Sequence, residues 1–311
     1  MKSMFRTVPA LHAFASKATK VLYWTATGQL PRRLAARRAY KRGLTPSGVG
    51  ATSANVPAAK CAAPLESARA LDIDFSLAVP FQFPISPSPN GGLAAIVHLY
   101  YEELAPEIRN YLEEVPFGLD VFISTRSASG KTAVEKVFDD WSRGTVEVRV
   151  APNRGRDIAP KLLTFRDVYD RYAYVLHLHG KRSPHASVLA QWRHYLLESL
   201  CGNADIVKTV MTIFEQNPKI GIIAPQHYEP IRHLIGWGKN FEATSAVARK
   251  MGINIDPKAP LDFPSGSMLW ARSASFRSLL DLNLSLEDFD EERGQVDATF
   301  AHAVERTYFF A

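Results

Sequence analysis

The chain has 311 residues, 46 % of them apolar and 11 % aromatic, with a formal charge of +6. That is enough apolar material for one large α/β domain with a substantial core, and too much for a disordered chain. No run of about 18 apolar residues occurs, so no membrane-spanning helix is expected. The two cysteines, Cys61 and Cys201, exclude a disulfide framework and favour a reducing compartment.

The charge is uneven. Eleven of the 37 Lys and Arg residues precede Glu66 and none of the 31 acids does, so the rest of the chain is net negative. The high pI therefore belongs to the N-terminal segment, and no nucleic-acid partner is expected.

Residues 1–42 have helical periodicity, with Leu11, Phe14, Ala15, Ala18 and Leu22 on one face and an Arg-dense second helix beginning near Pro31. Basic amphipathic helices with Trp24 and Tyr23 suit an anionic membrane surface, which predicts peripheral attachment at the cytoplasmic face of a plasma membrane. A solvated tail and an organelle transit peptide are the alternatives. Residues 43–92, rich in Ala, Ser, Pro and Gly, read as a linker, and 93–311 as the globular domain.

From Leu93 onward, short apolar runs alternate with helical spacings. Strands are expected at 94–99, 119–124, 146–150 and 174–178, with helices at 102–114, 131–141 and 160–172 between them. Helices at 186–200 and 204–216, strands at 220–224 and 268–271, a helix from 273 and a last helix over 295–306 complete the reading. Strand–helix alternation at this interval predicts a Rossmann-like parallel or mixed sheet flanked by helices. In such sheets ligands bind beyond the carboxyl ends of the strands, so the residues just after each strand are the candidates.

Asn153-Arg154-Gly155-Arg156-Asp157 is the densest polar cluster and falls between a strand and a helix. Its arginines suit phosphate oxygens, and Gly155 permits close backbone approach. Asp157 caps the next helix, orients Arg156 or meets a donor sugar; the alternative is a loop whose arginines only pair with Asp157. His177 and His179 alternate on a strand, so both rings face one side, with Lys181 two residues on. They suit a diphosphate, a divalent metal given a third ligand, or core packing. The turn Pro264-Ser265-Gly266-Ser267 reads as a backbone loop approaching a sugar, or as an ordinary turn. Asp297, at the expected start of the last helix, is a candidate base or a dipole partner. There is no nucleophile elbow, no H-E-x-x-H and no complete P-loop; Ser129-Gly130-Lys131-Thr132 reads as a loop entering a helix.

Six ordered blocks carry a family likeness. They are Asn153 to Asp157, Tyr174 to Lys181, Trp192-Arg193, Gly221 to Pro225, Pro264 to Arg272, and Gly294 to Asp297 followed by Ala301 to Arg306. With them, the chain from about residue 94 to its end resembles the rhamnan synthesis F family, glycosyltransferases of cell-surface polysaccharide assembly. It is also similar to the broader GT-A layout, with His177 and His179 standing where those enzymes carry a metal-binding D-x-D. The resemblance implies transfer of a sugar, rhamnose or a similar deoxysugar, from a nucleotide-sugar donor to a lipid-linked or polysaccharide acceptor. It implies that Asn153, Arg154, Gly155, Arg156, Asp157, His177, His179 and Lys181 bind the donor. Ser265, Gly266, Ser267 and His302 then meet sugar or acceptor, and Asp297 is the base.

No metal cofactor is expected, because neutral imidazoles attract Mg²⁺ poorly; the fallback ligand set is His177, His179 and His302. Two other readings remain: a catalytically silent glycan-binding scaffold, and a metal-dependent hydrolase built on His177, His179 and Asp297.

Overall fold

The computed structural model describes residues 83–85, 87–180, 189, 191–295 and 297–311. The predicted helices of 1–42, most of the linker, Lys181 and the start of the predicted 186–200 helix lie outside the described residues.

The order of elements follows the alternation seen in the sequence. It runs β1 Leu93–Leu99, α1 Ala105–Glu113, β2 Asp120–Thr125, α2 Ala128–Val137, β3 Val146–Val150, β4 Tyr174–His179, α3 Trp192–Cys201 and α4 Ala204–Gln216. Then come β5 Ile222–Ile223, α5 Glu229–Arg232, α6 Phe241–Lys250, β6 Leu269–Arg272, α7 Arg277–Leu280 and α8 Phe300–Glu305. The six strands lie in the order β3-β2-β1-β4-β6-β5. β1 to β4 are mutually parallel, while β6 runs antiparallel to both β4 and β5. Among the described residues no helix is long and apolar enough to cross a membrane.

β1 is buried at all seven positions because helices cover both faces of the sheet, and this is why it reads as an unbroken apolar run. Ala95, Val97 and Leu99 share one core cluster with Ile108 and Leu112 of α1, Leu197, Leu200 and the buried Cys201 of α3, and Val207 and Met211 of α4. Ala94 and Ile96 face the other way, onto Ile158, Leu162, Phe165, Val168 and Phe276. Each large aliphatic side chain removed from water here contributes roughly 1.5–3 kcal/mol. His177 and His179 share the parity of Val175, so both point into the second face, as period-2 alternation requires.

Three elements depart from expectation. Residues 160–172 do not form one helix. A π turn at Pro160–Thr164 is followed by a 3₁₀ turn at Arg166–Asp170, and the widened turn carries the buried Lys161. α2 begins at Ala128 because Ser127 Oγ accepts the Gly130 amide at 3.0 Å and caps it. The last helix begins at Phe300. Thr299 and His302 form a capping box, and Ala298 at φ +66° turns the chain away from helical geometry just after Asp297.

Candidate functional site

The sheet reverses its winding between β1 and β4: β2 lies on one side of β1 and β4 on the other. The crevice beyond the carboxyl ends of these strands is where an open α/β sheet receives a ligand. β6 supplies the remaining wall. Because it is antiparallel, with Leu269 opposite His177, the turn that precedes it lands at the carboxyl end of β4.

That turn closes a buried network. His179 Nε2 lies 2.8 Å from the Gly266 carbonyl and 3.9 Å from Asp157 Oδ2. Lys161 Nζ donates to Asp157 Oδ2 at 2.7 Å and to the Ser267 carbonyl, also at 2.7 Å. The Ser267 hydroxyl donates to the same carboxylate oxygen. Burial alone would raise the Asp157 carboxyl, but the charges of His179 and Lys161 and these hydrogen bonds hold it well below the usual carboxylate range. Gly266 is at φ +93°, and a Cβ there would come within 2.8 Å of Leu196, so only glycine lets the turn pack against α3. The amide of Gly266 donates to Glu305 on α8 at 3.1 Å.

The Asn153–Asp157 loop is built differently from its sequence reading. Gly155 sits at φ +71°, where a Cβ would meet Ala159 at 2.5 Å and Phe289 at 2.7 Å. Arg154 Nε donates to the Phe289 carbonyl at 2.7 Å and pairs across a β-bridge with Glu291. Arg154 thus fastens the 287–291 segment, where phosphate contact was expected, because backbone carbonyls there need donors. Arg156, at φ +57°, gives its amide to Glu292 Oε1 at 3.1 Å and its guanidinium to the Gln295 carbonyl, and stays about one-third exposed. Asn153 is exposed.

α8 and the segment before it bring Asp297, His302 and Arg306. Asp297 is 43 % exposed; Asn240 Nδ2 donates to it at 2.8 Å, and the Arg306 guanidinium forms a looser ion pair with it, Nη2 lying 3.9 Å away. Burial pushes its carboxyl up, but Asn240, the Ala298 amide and Arg306 outweigh this and hold it below the ordinary value. His302 Nδ1 is occupied by the Thr299 hydroxyl at 2.7 Å. Burial, then the nearby Arg156, lower its pKa to about 4.

His177 is fully buried. Its Nε2 lies 2.8 Å from the Tyr169 hydroxyl, and its ring is 5.0 Å from that of Phe276. The fallback ligand set of His177, His179 and His302 is therefore corrected: His177 belongs to the core. Among the described residues no three His, Cys, Asp or Glu side chains converge as metal ligands. Two further residues join the candidate site: Lys161, whose sequence signal is its i,i+4 spacing from Asp157, and Asn240, which nothing local marks.

The buried histidines make a pH prediction. His98, hydrogen-bonded to Ser124 at 2.9 Å, is lowered by burial to about 4, as is His302; His177 lies well below 6.5. Their folded-state values lie below the unfolded ones, so above pH 6.5 they cost nothing. As pH falls from 6.5 toward 4, only the unfolded chain takes up these protons, and stability drops. For His98 alone, a fall from 6.5 to about 4 is worth on the order of 3 kcal/mol. The melting temperature should decline steeply over this interval and less steeply in His98→Asn. A flat profile for the native protein would refute the assignment.

The chain is similar to several known proteins. Two proteins named Uncharacterized protein WxcX, from two strains of Xanthomonas campestris pv. campestris, are each 33 % identical over 215 residues. The match takes in 68 % of this chain and 30 % of theirs, so the chain spans about a third of the length of these relatives. Among solved structures, the mannosyltransferase PcManGT from Pyrobaculum calidifontis, in complex with GDP-Man and Mn²⁺, aligns at 14 % identity and a TM-score of 0.35. That alignment covers 63 % of this chain and 49 % of the other. The family model of Rhamnan synthesis protein F matches residues 70–311, and the chain belongs to that family.

Proposed function

We propose that this chain is a glycosyltransferase that moves a sugar, rhamnose or a similar deoxysugar, from a nucleotide donor onto a growing cell-surface polysaccharide. The observation that carries the reading is the convergence of four separate blocks at the carboxyl ends of β1 and β4. His179, Asp157, the Gly266–Ser267 turn and α8 meet there through direct contacts. Family membership supports the same reading.

In this proposal the donor diphosphate lies over the crevice, with Arg156 and Lys181 neutralising the charge that develops on the leaving group. Asp297, ionised and partly exposed, accepts the proton of the acceptor hydroxyl as that oxygen bonds the anomeric carbon and the diphosphate departs. One displacement of this kind inverts the anomeric centre. Among the described residues no three ligand side chains converge, and no step here uses a metal ion. The Arg-rich segment 1–42 would hold the enzyme to the anionic inner face of the plasma membrane, near a lipid-linked acceptor.

The test is a panel of diphosphonucleoside sugars screened for thermal protection. A true donor at about 100 times its Kd stabilises the fold by about 2.7 kcal/mol. Protection by none of them, with binding of the polysaccharide retained, would point to a scaffold and sink the transferase reading.

A further inference from the structure

A second constellation lies on the turn before β6 and the loops around it. Ser265 Oγ is 2.8 Å from Nδ1 of His227, and the other ring nitrogen, Nε2, is 3.0 Å from Oδ1 of Asp262. The order is hydroxyl, imidazole, carboxylate, each within reach of the next, which is the arrangement that activates a serine. A carboxylate can only accept, so Asp262 keeps the ring proton on Nε2. Nδ1 then holds a lone pair, and the Ser265 hydroxyl donates to it.

The neighbouring serine–histidine pair lacks this logic. Ser124 meets His98 at 2.9 Å, but it is 1 % exposed and lies within β2. Ser265 retains 7 % exposure, and the His227 and Asp262 side chains retain 13 % and 25 %.

We propose that Ser265, His227 and Asp262 form an acyl-transfer site that cleaves small O-acyl esters of sugars, independently of the transferase reading. Ser265 Oγ attacks the ester carbonyl carbon while its proton passes to His227 Nδ1. The carbon–alkoxy bond breaks, His227 returns the proton to the departing sugar hydroxyl, and the acyl group rests on Ser265. Water, deprotonated by the same imidazole, then releases the acid and restores the serine.

Two features set the substrate class. Ser265 is 7 % exposed and the buried Phe263 ring lies 6.2 Å from the His227 ring, so the class assigned is a small acyl group. Next to His227, the Tyr228 ring lies parallel to that of Trp192 at 6.5 Å and is 5.4 Å from that of Tyr195, an aromatic surface suited to a sugar ring. The two amides after the serine are engaged, Gly266 with Glu305 at 3.1 Å and Ser267 with the Pro264 carbonyl at 2.8 Å. Turnover is therefore slow, and covalent capture is the sensitive readout.

The experiment incubates the full chain with a fluorophosphonate and locates the adduct by peptide mass spectrometry. p-Nitrophenyl acetate serves as the ester probe. One phosphonyl group on Ser265 is expected, with labelling and acetate release slowed about 100-fold in His227→Ala and abolished in Ser265→Ala. His227→Gln, which keeps the shape of the ring site, replaces His227→Ala if that variant melts early. An unlabelled Ser265 in the native chain, or equal labelling rates in a folded His227 variant, overturns the proposal.

Discussion

Replacing Asp157 by Asn should destabilise the fold by about 3–5 kcal/mol, the cost of leaving a buried charge without its partner. Lys161 is 0 % exposed, and its ammonium has Asp157 and the Ser267 carbonyl as its oxygen partners. Asn supplies no negative charge, so Lys161 must either lose its proton or stay charged and buried with only the Ser267 carbonyl and the more distant Glu305 to offset it. The Asp157–Lys161 pair also ties the π turn to the β6 turn, and through His179 to β4. The double variant Asp157→Asn with Lys161→Met removes the buried charge along with its partner and should recover much of the loss. Urea unfolding of the two single variants and the double closes the cycle. Additive losses, with no recovery in the double, would show that the pair is not coupled. The pair also carries acid sensitivity. With its folded-state value depressed, Asp157 contributes stability above the ordinary aspartate range and loses it as pH falls below that range.

The other large effect concerns turnover. Asp297→Asn is expected to lower kcat by about 10²–10⁴, the usual worth of a general base, with donor affinity unchanged. Asparagine matches the shape of aspartate and keeps an oxygen for the Asn240 amide at this half-exposed position, so the fold should survive. Because Asn240, the Ala298 amide and Arg306 hold Asp297 below its ordinary value, the carboxylate remains ionised throughout the neutral range. Its acid limb in kcat/KM should therefore fall below the ordinary aspartate range. Steady-state kinetics with the donor found in the thermal screen provide the measurement. Full activity in Asp297→Asn would remove Asp297 from the chemistry, whatever the standing of the donor site.

Much of the scaffold was legible because local rules suffice for it. The run Ala94 to Leu99 is a strand buried on both faces, and its continuous apolarity says so. α4 spans 204–216 as read, because Asn203 caps it by accepting the amides of Asp205 and Ile206, both at 3.0 Å. The shared side of His177 and His179 follows from the pleat alone. The depths of the two rings do not. Tyr169, eight residues back, and Phe276, from the turn after β6, pack against His177, while His179 meets the turn before β6.

The residues alone settled the strand–helix alternation, the family likeness and the basic character of the first 65 positions. Tertiary structure decided which partners each block meets. Arg154 reads as a phosphate ligand in sequence, and in the fold its Nε and Nη2 donate to carbonyls of the 287–291 segment. Lys161 went unmarked in the sequence, and β6, pairing antiparallel, brings the Ser267 carbonyl to it. Asp262 and His227 are 35 positions apart and show no relation until the turn at Ser265 joins them. Periodicity reports contacts within a turn or a pleat, whereas strand direction and loop path, which no short window contains, choose the partners of buried charges.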